Sequence, residues 1–396
     1  MFKRIVGLMA KQVVRQKIKE VHKMDDVKPI YTLLVDGNSL LKQSLVNEMM
    51  GGKKDYGPVF QFYYTLGQVL TKYDFQFCYL FWDAEQSGQL RYNIYKDYKA
   101  NRDKHFENGN QTAYEKALND YCKKVIAYSK AKKAQKELVR GETDDEKFER
   151  CKNIIKQIAE ELFLRSYEAD KYVEGDDLIA YYIQHKKSNE KIVILTRDRD
   201  LTQLIADDVS VYLADLKKFI HPRNHIAEIG YNHENVLIKK ILCGDSSDNI
   251  KGIKGLGEKT FFDMFPQAKT SPITLDEIME QTKLMVEERI QQKKKPLVVM
   301  NNILNGVTLG CQGDRIYEIN EKIINLKKPL LTKEAIEDMD GMIHAPMDPE
   351  GRDIKNLYMI IKENEMINLY DETKFGNTFS PFYRIIENEK KFFKNN

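Results

Sequence analysis

Three short apolar runs in the chain each close on an aspartate: "IYTLLVD" at 30–36, "FQFCYLFWD" at 75–83 and "KIVILTRD" at 191–198. Runs of this length, rich in aliphatic and aromatic residues, read as buried strands. Between them, stretches 57–73, 144–161 and 174–187 repeat apolar residues at a helical period. Strands alternating with helices predict an α/β fold with a mostly parallel central sheet flanked by helices. Ligands of such sheets bind beyond the carboxyl ends of the strands. Asp36, Asp83 and Asp198 fall at that edge. An aspartate there often caps the next helix; three at one edge weaken capping as the whole explanation.

Two stretches depart from the alternation. Residues 103–150 form a long polar segment of helical period, basic in its second half, with Lys123, Lys124, Lys130, Lys132, Lys133, Lys136 and Arg140 against Glu137. An insertion this long between strands is more often functional than not. Residues 232–265 read as two short helices around a glycine-rich turn. From about 266 onward the pattern is helical, with Lys-rich patches such as "QQKKKP" at 291–296, and carries no motif. The domain division expected is 1–29, 30–230 and 231–396. The first segment, "MFKRIVGLMAKQVVRQKIKEV", is basic and amphipathic, with Phe2, Ile5, Val6, Met9, Val13 and Val14 on one face. It reads as a helix docked on the domain surface. A mitochondrial transit peptide, an interfacial helix and a basic arm on DNA share its pattern.

The composition, 42% hydrophobic and 31% charged over 396 residues, is that of a soluble globular chain. Its formal charge of +3 does not by itself announce a nucleic-acid partner. Cys78, Cys122, Cys151, Cys243 and Cys311 are scattered without a CxxC pair, which argues against a zinc site and for a reducing, cytoplasmic compartment. No apolar stretch is long enough to span a bilayer.

Candidate chemistry changes the picture most. "VEGDDLIAYY" at 173–182 sets Glu174, Asp176 and Asp177 together with no Lys or Arg between Val173 and Tyr182. Helix capping accounts for one or two of these acids, and three carboxylates so close repel one another. Asp36, Asp83, Asp198, Asp200, Asp245 and Asp248 occupy strand ends, helix starts and tight loops. If the strands are parallel, these acids converge on one edge. Oxygen-only ligands select hard divalent ions, Mg²⁺ or Mn²⁺. Two such ions can activate a water and stabilise the leaving oxygen of a phosphodiester.

Basic residues supply the complementary half. In "FWDAEQSGQLRYNIYKDYKANR" (81–102), Arg91, Lys96, Lys99 and Arg102 recur at a helical spacing, interleaved with Tyr92, Tyr95 and Tyr98. Cations there can clamp a phosphate, and tyrosines can stack on an unpaired base. Taken alone, the stretch is equally an amphipathic helix. In "CGDSSDNIKGIKGLGEKTFFDMF" (243–265), Gly252, Gly255 and Gly257 make a tight turn flanked by Lys251, Lys254 and Lys259. A P-loop is ruled out because Glu258 stands where its lysine is required and no strand precedes it. The turn fits a helix–hairpin–helix-type grip on a duplex backbone.

Six motifs in order, "VDGNSLL" (35–41), "FWD" (81–83), "YKDYKANR" (95–102), "VEGDDLIA" (173–180), "ILTRDRDLTQL" (194–204) and "GDSSDNIKGIKGLGEKT" (244–260), resemble the flap endonuclease and 5′-3′ exonuclease superfamily over roughly residues 30–265. That superfamily includes phage 5′ nucleases, the phage enzyme called ribonuclease H and the 5′ nuclease domain of bacterial DNA polymerase I. The resemblance implies a PIN-like 5′ nuclease fold, with a helical arch at 103–150 over the single-stranded 5′ end. It implies a first metal region of Asp36, Asp83, Glu174, Asp176 and Asp177, and a second of Asp198, Asp200, Asp245 and Asp248. Asp83 and Asp176 then act in catalysis together with Lys99 and Arg102, which approach the scissile phosphate. Tyr98 stacks near the terminal base, and Arg91 and Lys96 join the DNA contacts. The turn at 252–257 holds the downstream duplex and a monovalent cation such as K⁺. Two departures stand out: "VEGDD" replaces the usual "VEADD", and Arg199 stands between two aspartates where a neutral residue is common.

The expected activity is therefore a metal-dependent, structure-specific 5′ nuclease with two ions. It would cut DNA flaps and remove RNA or DNA from 5′ ends, as in primer removal during replication. Its partners would be branched or nicked DNA and RNA–DNA hybrids, and a single-strand binding protein or sliding clamp, although no clamp peptide is recognisable. A monomer in a bacterial or phage-infected cytoplasm is expected. Two rivals share parts of the pattern. A PIN-like ribonuclease has no need of the 244–260 grip, and a non-catalytic branched-DNA-binding protein has no need of intact acids at every motif.

Overall fold

A computed structural model of the chain describes residues 29–49, 57–100, 143–306 and 316–395. The expected helix at 1–29 (apart from Pro29), the insertion up to residue 142, and Arg102 within the 95–102 motif lie outside the described residues.

Strands β1 (Ile30–Asp36), β2 (Phe77–Trp82), β3 (Arg165–Glu168), β4 (Glu190–Thr196) and β5 (Val209–Leu213) are joined by parallel pairing, and β6 (Lys218–Ile220) adds an antiparallel edge. The order is β3-β2-β1-β4-β5-β6. Strands therefore succeed one another outward from β1 on one side and from β4 on the other. The crevice between β1 and β4, where the order reverses, is where doubly wound sheets bind ligands. Val35 pairs with Leu80 on one side and Leu195 on the other, so β1, β2 and β4 end level.

Side chains along each strand alternate between faces. Leu33 and Val35 pack with helices α1 (Gly37–Met49), α2 (Pro58–Leu70) and α4 (Asp144–Glu161) through Leu41, Phe62, Leu66 and Ile155. Leu34, with Tyr79 and Phe81 of β2, packs on α5 (Gly175–His185) through Ile179 and Tyr182. Between them in sequence, α3 is the short helix Gln89–Ile94. Helix α1 starts directly beneath the Trp82 ring. A Cβ at Gly37 would stand 2.8 Å from it, so only glycine lets the chain turn there immediately after Asp36.

The expected strands and helices agree with these elements to within three residues at every end, close to the usual scatter of helix and strand ends. One expectation needs correction. The helical spacing across 91–102 is not a continuous helix: α3 stops at Ile94, Tyr95 is extended, and Lys99 takes φ +55° with its N–H bonded to the Asp248 carbonyl at 2.8 Å. A long-range bond has overridden local periodicity. The helices within 231–396 pack in more than one place. Helix Lys333–Met342 adds Ala335 and Met339 to the α5 side of the sheet. Leu357, Ile361, Phe379, Phe382 and Ile385, from still later helices, join the α1/α2 side. Helices Asn235–Cys243, Glu258–Met264 and Val298–Asn305 build a core of their own, around Leu242, Phe261, Phe265 and Ile303. Among the described residues no helix is long and apolar enough to cross a membrane.

Candidate active site

A cleft of about 340 Å³ opens at the carboxyl edge of the sheet, and five chain segments bring eight carboxylates to its walls. Asp36, Asp83, Glu174 and Asp176 form one group. Asp36, at the end of β1, accepts from the Ser39 N–H at 2.9 Å and from the Thr196 hydroxyl at 2.8 Å. It thus caps α1 and faces the cleft at once, so the capping and ligand readings are not exclusive. Asp83 accepts from the Asn38 amide at 2.8 Å and the Gly175 N–H at 2.9 Å. Burial, together with repulsion from Asp83 and Asp198, pushes the Asp36 carboxyl up to about 7 against its two hydrogen bonds. Asp176 is driven well above the ordinary carboxylate range by burial and by Asp36, Asp198, Asp83 and Glu174. Burial also opposes ionisation of Glu174, but Arg91 and Lys99 hold its carboxyl below the usual range.

The second group is Asp198, Asp200, Asp245 and Asp248. Asp198 follows β4, and its carboxylate accepts the Asp200 N–H at 2.8 Å. Lys240, from helix Asn235–Cys243, bonds both Asp200 and Asp245, the latter at 2.6 Å. Burial and Asp198 raise Asp200 to about 7 in spite of Lys240. Burial opposes the Asp245 charge as well, yet Lys240 and Ser247 bring its carboxyl below normal. Tyr98 ties the groups together, its buried hydroxyl lying 3.0 Å from Glu174 and 3.2 Å from Asp248.

One expected ligand is placed elsewhere. Asp177 does not line the cleft; both its oxygens bind Arg91, at 2.5 and 3.0 Å, and one also accepts the Leu330 N–H at 3.0 Å. Arg91 in turn bonds the Ile323 carbonyl at 2.8 Å and Glu174 at 2.7 Å. Arg91 is 6% and Asp177 1% exposed, so the pair is a buried brace, with Arg91 at the cleft wall and Asp177 outside it. Successive positions on a helix point about 100° apart. Asp176 and Asp177 therefore cannot both face the cleft. Tyr98, 6% exposed, is likewise a link between carboxylates and offers no open face for a base to stack on. Lys99 does line the cleft, paired with Glu174, while Lys96 lies exposed over the Tyr92 ring at 4.5 Å.

In the glycine-rich segment, the two-residue strands Gly244–Asp245 and Ile250–Lys251 pair between the flanking helices. A Cβ on Gly252 would lie 2.1 Å from the Cys243 carbonyl carbon, so Gly252 lets two backbones touch. Gly255 and Gly257 are open and exposed, and Lys251, Lys254 and Lys259 point outward beside them.

The donor set fits hard divalent ions: among the described residues, eight carboxylates, no thiol and no imidazole line the cleft. The raised carboxyls of Asp36, Asp176 and Asp200 mark mutual repulsion that a divalent ion would relieve. Among the described residues no three of these acids already converge on one point, and Lys99 and Lys240 occupy several of their oxygens. Sequence reasoning missed Lys240, Asn38 and Thr196. Asn38 and Thr196 lie inside quoted motifs beside the acids they support. Lys240 carries no local signal beyond being a cation five positions before Asp245. Arg197 and Lys42, both on the cleft wall, were also passed over.

Comparison with known proteins agrees with this architecture. A family model described as the 5′-3′ exonuclease, N-terminal resolvase-like domain, matches residues 31–230. A 5′-3′ exonuclease of Mycoplasmopsis pulmonis (strain UAB CTIP) is 25% identical over 278 residues, 69% of this chain and 79% of the relative. A 5′-3′ exonuclease of Bacillus subtilis (strain 168) is 34% identical over 171 residues, 40% of this chain and 55% of the relative. DNA polymerase I of the same organism is 28% identical over 160 residues, and the chain spans only 18% of its length. Among solved structures, a T5 protein co-crystallized with metal ions aligns over 85% of this chain and 99% of its own, with a TM-score of 0.52 at 17% identity. T5 5′-exonuclease with bound zinc gives 0.51 at 18% identity, over 84% of this chain and 97% of its own. At such identity these two show a shared fold. The family match covers just over half of the 396 residues, and the chain belongs to the 5′-3′ exonuclease family.

Proposed function

We propose that the protein is a metal-dependent, structure-specific 5′ nuclease that cuts DNA flaps and trims RNA or DNA from the 5′ ends of nicked duplexes, as primer removal requires. The observation that carries this reading is the cleft itself: eight carboxylates from separate chain segments meet at the switch point of the sheet, inside or beside the family-matched region. Asp36, Asp83, Glu174 and Asp176 would hold one Mg²⁺ or Mn²⁺, and Asp198, Asp200, Asp245 and Asp248 a second. Such ions, when bound, neutralise phosphate charge and lower the pKa of a coordinated water.

The chain's own residues prepare that site. Asn38 and the Gly175 N–H fix the Asp83 carboxylate, Thr196 fixes Asp36, and the Arg91–Asp177 brace sets the first turn of α5 on which Glu174 and Asp176 sit. Lys99, at the cleft wall, and Arg102 would bind the phosphodiester and stabilise the charge that builds on it. Hydrolysis breaks the bond between phosphorus and the 3′ oxygen, leaving a 3′-hydroxyl on the released 5′ piece and a 5′-phosphate on the duplex. Lys251, Lys254 and Lys259 around the open Gly255–Gly257 backbone would grip the duplex by its phosphates, with K⁺ as the turn's cation. The chain would act as a monomer on branched DNA and RNA–DNA hybrids, in a bacterial or phage-infected cytoplasm.

The test is competition in Mg²⁺ between a 5′-flap DNA, a nicked RNA–DNA hybrid and a plain single-stranded RNA, with end analysis of the products. Preferred cutting of the first two, leaving 3′-hydroxyl and 5′-phosphate ends, supports the reading. Preference for single-stranded RNA would replace it with a PIN-like ribonuclease, and binding without cutting would replace it with a branched-DNA-binding protein.

A further inference from the structure

The cations of the cleft fall into two kinds. Arg91 is bound by Asp177 and Glu174, Lys99 by Glu174, and Lys240 by Asp200 and Asp245. Arg197 lines the same cleft and has no carboxylate or other hydrogen-bond partner for its guanidinium among the described residues. Its Nε is fully buried and unbonded. The residue is nonetheless firmly placed. It follows β4 directly, its N–H donates to the Ser39 hydroxyl at 3.2 Å, and it stands between Thr196, which holds Asp36, and Asp198.

A buried donor left unbonded is costly. A guanidinium among carboxylates would ordinarily relax that cost by pairing with one of them, and this one does not. A planar fork of donors suits the oxygens of a phosphate better than any other DNA group. With Lys99 and Arg102 serving the scissile phosphate, the phosphate left for this guanidinium is its neighbour along the strand. We propose that Arg197 binds the phosphate adjoining the one that is cut and so positions the scissile bond over the carboxylates. The assignment rests on the 5′ nuclease reading and adds a substrate contact to it.

The experiment is single-turnover cleavage of a 5′-flap DNA carrying one neutral methylphosphonate at each linkage flanking the cut in turn, by the full chain and its Arg197→Gln and Arg197→Lys variants. Loss of one charge-assisted contact predicts a fall of about 10- to 100-fold for Arg197→Gln on unmodified DNA. Arg197→Lys should recover part of it. Neutralising one flanking linkage should slow the wild type by a similar factor and cost Arg197→Gln nothing further. The Mg²⁺ midpoint and the urea midpoint should not move, since the guanidinium holds no carboxylate. Additive losses at every linkage, or an Arg197→Gln enzyme as fast as wild type, would overturn the assignment. So would a shifted Mg²⁺ midpoint, which would mean that Arg197 acts by holding Asp198. A wild type that leaves unmodified flap intact would instead overturn the nuclease reading, and the assignment would fall with it.

Discussion

Asp176 and Asp177 are neighbours with opposite roles, and exchanging each for asparagine should separate them. Asp177 is 1% exposed and forms a two-point pair with Arg91, at 2.5 and 3.0 Å, while accepting the Leu330 N–H. Removing one partner of a buried pair costs about 3–5 kcal/mol, because the other charge is left stranded. Here Arg91 keeps Glu174 at 2.7 Å and the Ile323 carbonyl, so the loss for Asp177→Asn should lie near the lower end, about 3 kcal/mol. Asp176 is the reverse case. Burial and four nearby carboxylates raise its pKa, so its ionised form destabilises the metal-free protein. Asp176→Asn should therefore leave metal-free stability unchanged or raise it. The assay is urea unfolding with and without Mg²⁺, beside a Mg²⁺ titration of flap cleavage. Asp177→Asn should unfold earlier at both metal levels with its Mg²⁺ midpoint in place. Asp176→Asn should lose most activity and most of the stabilisation that Mg²⁺ confers. An Asp177→Asn protein as stable as wild type but needing more Mg²⁺ would refute the brace and return Asp177 to the ligands.

The metal-free protein should lose stability as pH rises from about 4 toward 7, because folded Asp36 and Asp200 keep protons, each with its pKa raised to about 7, that the unfolded chain releases near 4. Saturating Mg²⁺ should flatten that slope in parallel urea titrations, and a stability that rises with pH over this window would contradict the raised values. Lys240→Met removes the cation shared by Asp200 and Asp245; it should lower metal-free stability by roughly 1–3 kcal/mol, and Mg²⁺ should restore it, as differential scanning calorimetry with and without the ion would report. Gly175→Ala, which restores "VEADD", should be neutral to stabilising by up to about 1 kcal/mol with activity intact. A Cβ there meets Asp83 and Trp82 at an ordinary 3.5 Å, so a marked loss of activity would mean that this approach is tighter than it stands.

The sheet was legible because buried parallel strands are written as unbroken apolar runs, and each of the three recognised from sequence closes on an acid at the edge where parallel sheets bind ligands. Asp36, Asp83 and Asp198 were legible for the same reason, Glu174, Asp176, Asp200, Asp245 and Asp248 through the motifs they sit in, and the fold brings all eight to one cleft. What could not be read is pairing across long sequence separations. Arg91 lies 86 positions from Asp177, and nothing local distinguishes a cation that meets DNA from one that braces a helix. Tyr98 looked like a stacking ring because its hydroxyl's partners, Glu174 and Asp248, are 76 and 150 positions away. The final helices carry ordinary amphipathic patterns, which say that a face is buried but not against what. Leu357, Phe382 and Ile385, like Ala335 and Met339 before them, return to the sheet, whereas the helices within 235–305 keep a separate core.

The central claim is that these carboxylates form one metal-dependent cutting site for branched DNA. The direct measurement is cleavage of a 5′-labelled DNA flap, a plain single strand and a plain duplex by wild type and Asp176→Asn, each in Mg²⁺ and in EDTA. The account predicts that wild type cuts near the flap junction only in Mg²⁺ and far less on the other two substrates, while Asp176→Asn binds the flap and leaves it whole. Cleavage that persists in EDTA, or an Asp176→Asn protein that cuts at the wild-type rate, would contradict it.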